Sequence, residues 1–239
     1  MIERHLARIR ARDTLDAAEE QAIRNAVAEE RRYPAGKTFA HAGEPLEVST
    51  ILLDGFMARY KDLRDGQRQI SELHVPGDFA DLHSFTLKHL DHNVMTLTPC
   101  RVAIVPHARL AEITRDLPHL TRVYWFHTNL DAAIHREWEL SLGRRSALAR
   151  TAALFLELRE RLALVGLAEE DGYDLPLTQA TLAECLGLTA VHVNRTLREL
   201  RQDGLLTFTE RRVRILDPAR LKRAADFDPA YLYLERRER

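Results

Sequence analysis

The residues best suited to do chemistry lie between Leu177 and Leu206, in the run LTQATLAECLGLTAVHVNRTLRELRQDGLL. Its second half puts Ala190, His192, Asn194, Arg195 and Arg198 on the outer face of a helix. Small and polar groups like these reach base edges in a DNA major groove, and an Arg there donates two hydrogen bonds to one guanine. Arg195 is the residue expected on guanine, and Val191 can touch a thymine methyl. The implied chemistry is recognition of base pairs, with no bond made or broken.

That face needs a scaffold, and the flanking residues supply one. Thr178 can cap a first helix, on which Leu182 and Leu186 recur at i, i+4. Gly187 sits where that helix must stop, and Thr189 caps the next. Val193, Leu197 and Leu200 form the buried stripe of the second helix, which Gly204 ends. Thr178, Gln179 and Thr189, at the helix starts, join the candidate DNA contacts. The sequel LLTFTERRVRILD reads as a β-hairpin with Arg211 and Arg212 at its tip, the wing of a winged helix. Nine basic residues against five acidic ones between Leu177 and Arg223 give the local positive charge that phosphates require. The same shape also serves protein contact, so a ligand-binding module with a protein-contacting winged helix is the alternative.

With 239 residues the chain has room for two modest domains, and its formal net charge of −1 makes it no general polycation. The charged start MIERHLARIRARD lacks the apolar core of a signal peptide, and no long apolar run predicts a membrane span. Cys100 and Cys185 are isolated, with no metal spacing, which fits a reducing cytoplasm. There is no Gly-rich phosphate loop, HExxH or GxSxG motif, so an enzyme is not expected.

Upstream, the spacing predicts a helix from Asp13 to Arg32. From Tyr33 the texture turns to short β-like runs punctuated by Gly36, Gly43, Gly55, Gly66 and Gly77. Asp54-Gly55 and Asp65-Gly66 are hairpin signals, Pro76-Gly77-Asp78 is a turn, and Cys100–Val105 closes a β-roll. One long helix is predicted over 118–142, with Gly143-Arg144-Arg145 as a hinge and a further helix after it. Val123, Phe126, Leu130, Ala133 and Leu140 keep 3–4 spacing, and His127, Ile134 and Trp138 widen the stripe. That face can cover the roll or pair with a second copy. The acidic stretch AEEDGYD is read as a loop.

This order resembles the Crp/Fnr family of bacterial transcription regulators over nearly the whole chain. The carriers are Gly36, Gly43, the LLDG ending at Gly55, the DG at Gly66, the PGD ending at Asp78, and the helix-turn-helix. The resemblance implies an α+β fold: an antiparallel, jelly-roll-like β-roll sensor over 1–117, a long dimerisation helix and hinge over 118–143, and a winged helix-turn-helix over 144–239. It implies a homodimer joined through Val123, Phe126, Leu130, Ala133 and Ile134, on a palindromic double-stranded operator whose half-sites lie about one helical turn apart. It further implies activation through contact with RNA polymerase.

The departures from the family pattern are equally specific. Cyclic-AMP-responsive members place an Arg on the cyclic phosphate and a Glu on the ribose hydroxyl. Here no Arg lies between Gly77 and Cys100, and Lys88 is the only full cation there. A cyclic nucleotide is therefore not expected. His83, Lys88 and His92 become the candidate effector pocket, for an unknown small molecule. Without a cysteine before Cys100, a four-thiolate cluster cannot form. His83 resembles the haem-ligand position of a gas-sensing member, a further alternative, although no cofactor and no metal site is the leading expectation, because the His spacing fits no tight ligand set. Val191 stands where many members carry a Glu, so the half-site should differ from theirs.

Overall fold

The computed structural model describes residues 2–239. Helix α1 (Glu3–Arg10) turns Leu6 and Ile9 inward, both fully buried. Helix α2 (Ala17–Ala26) starts at a capping box, where Asp16 Oδ1 accepts from the Glu19 amide at 2.8 Å and Glu19 Oε2 accepts from the Asp16 amide at 3.1 Å. The helix stops well short of Arg32. Val27 is already extended, and strand β1 (Glu29–Tyr33) follows. The EERRY run is nearly all exposed, so it carries no apolar period to mark it as a strand; pairing with the edge of another strand decides its form.

Two facing sheets make the roll. One has the order β1-β7-β3, from β3 (Val48–Asp54) and β7 (Cys100–Pro106). The other has the order β2-β6-β4-β5, from β2 (Thr38–Ala40), β4 (Met57–Asp62), β5 (Arg68–His74) and β6 (Asn93–Thr96). Leu52, Met57, Val94, Val102 and Ile104 fill the space between them. Asp65-Gly66 makes the β4–β5 hairpin, but Asp54-Gly55 does not join paired strands. It carries the chain from one sheet to the other. Gly55 has φ +96°, and a Cβ there would lie 2.6 Å from the Pro99 carbonyl oxygen, so only glycine makes this crossing without strain.

A four-residue helix α3 (Ser84–Leu87) and helix α4 (His107–Asp116) flank the roll, and α5 (Pro118–Arg144) runs on from them for 27 residues. Gly143 stays helical. The break comes two residues later, at Arg145, whose ψ of 144° lets Ser146 cap α6 (Ala147–Ala163). The winged domain then adds β8 (Gly172–Asp174), α7 (Gln179–Leu186), α8 (Ala190–Gln202), β9 (Leu206–Thr209), β10 (Arg212–Ile215) and α9 (Pro218–Ala225). Its sheet has the order β8-β10-β9. The acidic stretch read as a loop contains β8, recruited by β10 through Val213 opposite Tyr173. A 3₁₀ turn over Pro229–Leu232 leads into the C-terminal tail.

The two halves meet through buried charges. Arg161 of α6 donates to Asp78 at 2.7 Å, to the Leu73 carbonyl at 2.7 Å and to Glu157 at 2.9 Å. Arg8 of α1 also pairs with Asp78. Glu157 accepts in turn from the Trp138 indole at 2.9 Å and from the Tyr231 hydroxyl at 2.8 Å. Each of these carboxylates therefore has cations or donors that offset its desolvation. The Gln69 amide, on β5, donates to the Glu184 and Cys185 carbonyls at the end of α7.

Candidate nucleic-acid interface and sensor cavity

The reading helix is built as its residue types dictate. Thr178 Oγ1 accepts from the Thr181 amide at 3.1 Å, and Thr189 Oγ1 accepts from the His192 amide at 3.2 Å. Each satisfies an amide that has no partner inside its helix. Between them Gly187 takes φ +58°, the left-handed turn that sets α8 at an angle to α7. Val193, Leu197 and Leu200 are buried beneath α8. Its other face is open: Ala190, Asn194, Arg195 and Arg198 are exposed, and Val191 is 81% exposed. An aliphatic side chain so exposed at the start of a helix gains nothing for folding.

Two hydrogen bonds order this face. His192 Nε2 accepts from the Arg195 guanidinium at 2.9 Å, and Asn194 donates to the Gln179 side-chain oxygen at 3.2 Å. Gln179, Asn194, Arg198 and Arg201 line a groove of about 140 Å³ between α8 and Thr209 of the wing. The wing turn is Glu210-Arg211, both at positive φ (51° and 61°), as a two-residue hairpin turn of this hand requires. Arg211 projects into solvent. Arg212 does not stand free: it donates to Asp174 at 3.0 Å and pairs with Glu169. Glu169 and Asp174 thus hold Arg212 beside β8, away from the wing tip.

The second feature is a cavity of about 520 Å³ between the roll and α5, lined in part by Arg59, Lys61, His83, His92, Asp131 and His135. His83 and His92 come together there, with ring centroids 5.3 Å apart. Lys88 does not join them. It caps α3 in the left-handed conformation, and its ammonium donates to the Phe85 carbonyl. The cation beside the cavity is Arg59, fully buried, which donates to Glu72 at 2.7 Å and to Asp131 of α5 at 2.8 Å. Burial works against its charge, and Glu72 and Asp131 more than offset that, so its pKa rises. Burial presses the His83 imidazole down to about 3 and His135 down to about 4. His92 is lowered by burial too, although Asp91 pulls the other way. Its Nδ1 bonds to Asp91 at 2.9 Å, and its Nε2 is buried without a partner. At neutral pH the cavity therefore offers neutral imidazoles beside cations that carboxylates already neutralise. An unpaired cation for a cyclic phosphate is missing from that lining. The sequence signal for Arg59 was an arginine inside the buried run Phe56-Met57-Ala58-Arg59-Tyr60, a place where burial demands a charged partner.

The stripe assigned to the dimer seam faces inward. Val123, Leu130, Ala133 and Ile134 are each at most 5% exposed, packed within their own chain. Phe126 lies under the C-terminal tail, with the Arg239 guanidinium 3.5 Å above its ring and Tyr233 edge-on at 6.0 Å. The outward stripe of α5 is Arg122, Trp125, Asn129, Ala132 and Arg136, with Trp125 67% exposed.

Two family models match in chain order: a cyclic nucleotide-binding domain over residues 30–116 and a Crp-like helix-turn-helix domain over residues 149–224. The transcriptional activator protein FnrL of Cereibacter sphaeroides is 31% identical over 204 residues, 83% of this chain and 81% of that protein. The nitrogen fixation regulation protein FixK of Bradyrhizobium diazoefficiens is 32% identical over 218 residues, 89% of this chain and 88% of that protein. The solved structure of FixK2 from Bradyrhizobium japonicum superposes with a TM-score of 0.76 at 28% identity, over 83% of this chain and 97% of that one. A roll, a long helix and a winged helix in this order, and relatives aligned across most of their length, make this chain a member of the Crp/Fnr family of DNA-binding transcription regulators.

Proposed function

We propose that the protein works in the cytoplasm as a homodimeric activator on a palindromic operator, with an organisation of sensor over 1–117, long helix over 118–143 and winged helix over 144–239. The observation that carries the reading of DNA is the open face of α8, where Val191, Asn194 and Arg195 face solvent above a fully buried stripe. Arg195 reads a guanine, His192 and Asn194 reach neighbouring bases or phosphates, and Arg211 holds the backbone. Thr178, Gln179, Thr189 and Arg198 border the same surface. The dimer forms through the outward stripe of α5 around Trp125 and Ala132, because the stripe through Leu130 is already occupied by the chain itself. RNA polymerase is the partner that follows from activation. No helix among the described residues is long and apolar enough to cross a membrane.

The cavity beside Arg59 is the proposed effector site, with His83 and His92 as its hydrogen-bonding groups. The effector we propose is not a cyclic nucleotide, since Arg59 is held by Glu72 and Asp131 and no arginine lies between Gly77 and Cys100. A second reading, a haem sensor using His83, has one observation in its favour. His83 also lines an apolar groove of about 430 Å³ with Leu82, Phe85, Leu110, Tyr124 and Trp125. An intense absorption band near the violet edge of the visible spectrum in the purified protein would favour it; a colourless protein that binds no added haem would exclude it.

Selection of duplexes from a random pool by the purified, ligand-free protein tests the main reading. A palindrome with a conserved guanine in each half supports it. A single, unrepeated half-site would remove the dimer, and no enrichment with or without cell extract would remove the DNA reading.

A further inference from the structure

Arg12 is 2% exposed, yet no carboxylate among the described residues pairs with its side chain. A buried guanidinium left this way is costly unless its donors are met. They are met by the C-terminal tail. Arg12 Nη2 donates to the Leu232 carbonyl at 3.1 Å and Nε to the Tyr233 carbonyl at 3.2 Å, at the carbonyl end of the 3₁₀ turn. The return contact runs the other way: the Arg12 carbonyl accepts from the Arg237 amide at 2.9 Å and from the Arg239 guanidinium at 2.8 Å. Arg239 also reaches buried Asp13 at 3.3 Å while stacking on Phe126 of α5. The tail thus engages the end of α1 and the face of α5 at once. It departs from the winged domain, and Leu232 near its start is fully buried.

Both halves of this arrangement lie outside the two matched family regions, in residues before 30 and after 224. We propose that residues 229–239 are a strap that fixes the winged domain on α1 and α5 of the sensor half, and so pre-orients the reading helix without an effector. The direction follows from the face the strap leaves open. In the strapped arrangement Val191, Asn194, Arg195 and Arg198 are all exposed, so the strap cannot act by covering them. It acts together with the Arg161–Asp78 and Gln69–Glu184 contacts to limit the freedom of the linker at Arg145-Ser146. A domain already held in its binding orientation loses less entropy on DNA than one that swings.

The second half of this proposal rests on the reading of DNA given above; the first does not. Amide hydrogen exchange on the full-length protein tests the first half directly. The variants are Arg12→Gln, which removes the paired donors, and Arg239→Ala, a change at the chain end that leaves every core residue in place. Exchange at Ala230–Tyr233 and at Arg145–Ala147 should rise at least tenfold in both, with β3 and β7 unchanged. Affinity for the duplex selected by the wild type should fall about tenfold in the same variants. Should Arg12→Gln fail to fold, Arg239→Ala carries the test alone. Unchanged exchange in Arg239→Ala would overturn the strap. Raised exchange with equal or tighter DNA binding would overturn its pre-orienting role. A wild type that selects no duplex would remove the DNA reading while leaving the exchange result to decide the strap.

Discussion

The Arg161 guanidinium donates to the Asp78 carboxylate at 2.7 Å, joining the first helix of the winged domain to the turn that follows β5 of the roll. Asp78 also holds Arg8, so one carboxylate serves two buried cations, one from α1 and one from α6. Removing it strands Arg8 and leaves Arg161 with hydrogen bonds only to Glu157 and the Leu73 carbonyl. Asp78→Ala should destabilise the protein by about 3–5 kcal/mol, the range for breaking a buried ion pair by one partner. Urea unfolding followed by circular dichroism checks this; a loss under 1 kcal/mol would mean that solvent reaches the pair.

Arg195→Ala should reduce specific DNA binding by about 1–3 kcal/mol and relax the preference at one base pair. Arg211→Ala should weaken all sequences alike and lower the salt dependence by about one phosphate contact. Arg212→Ala should change the salt slope little, because Glu169 and Asp174 already hold that guanidinium. Titrations of each variant at several salt concentrations separate the three. If Arg195→Ala kept full base discrimination, the recognition helix would have to be sought elsewhere.

The exposed stripe of α5 makes a separable prediction. Ala132→Asp should yield folded monomers, since Ala132 is exposed in the single chain, with a melting temperature lower only by what dimerisation adds. Leu130→Asp should instead unfold the protein, since Leu130 is 1% exposed inside it. Sedimentation velocity with thermal melts distinguishes them. A dimer that survives Ala132→Asp and Trp125→Asp would put the interface on another face.

Acid should weaken the fold through its buried histidines. His5 bonds the Gly77 carbonyl at 2.8 Å, and burial lowers its pKa to about 4. The unfolded chain takes up that proton near pH 6.5, before the folded one does. The stabilisation is therefore complete above pH 6.5 and is lost as pH falls from there towards 4, by about 3 kcal/mol for this one group. Glu72, raised to about 7 by burial, contributes the opposite slope, so the clean observable is the difference between wild type and His5→Gln. That difference should shrink steadily below pH 6.5; a constant difference would mean that His5 titrates alike in both states.

Much of this architecture is legible in the residues. Thr178, Gly187 and Thr189 mark the ends of the two reading helices because capping is local chemistry, and the alternating run into Ile215 marks the wing. Proximity that only the tertiary fold creates is less visible. Strand β1 is hidden because EERRY is charged at four of five positions and borrows its order from β7. Helix α1 reads only as a charged start, because Arg8 within it and Arg12 just after it are buried by partners more than 60 residues away. Lys88 falls outside the cavity for a local reason: the left-handed cap at its own backbone turns the side chain back over Phe85. The apolar stripe of α5 announces burial but not by whom, and here the roll, α6 and the tail take the place expected of a partner helix.

The wing turn has a consequence for engineering. Glu210 and Arg211 occupy backbone conformations that Asn and Gly adopt far more easily. Left-handed backbone at ordinary residues costs of order 1 kcal/mol each. Replacing the pair with Asn-Gly should therefore give a more heat-resistant protein that holds DNA less well, because the cation at the tip is gone. A thermostabilised variant recovered from a screen that ignores DNA should be found here first.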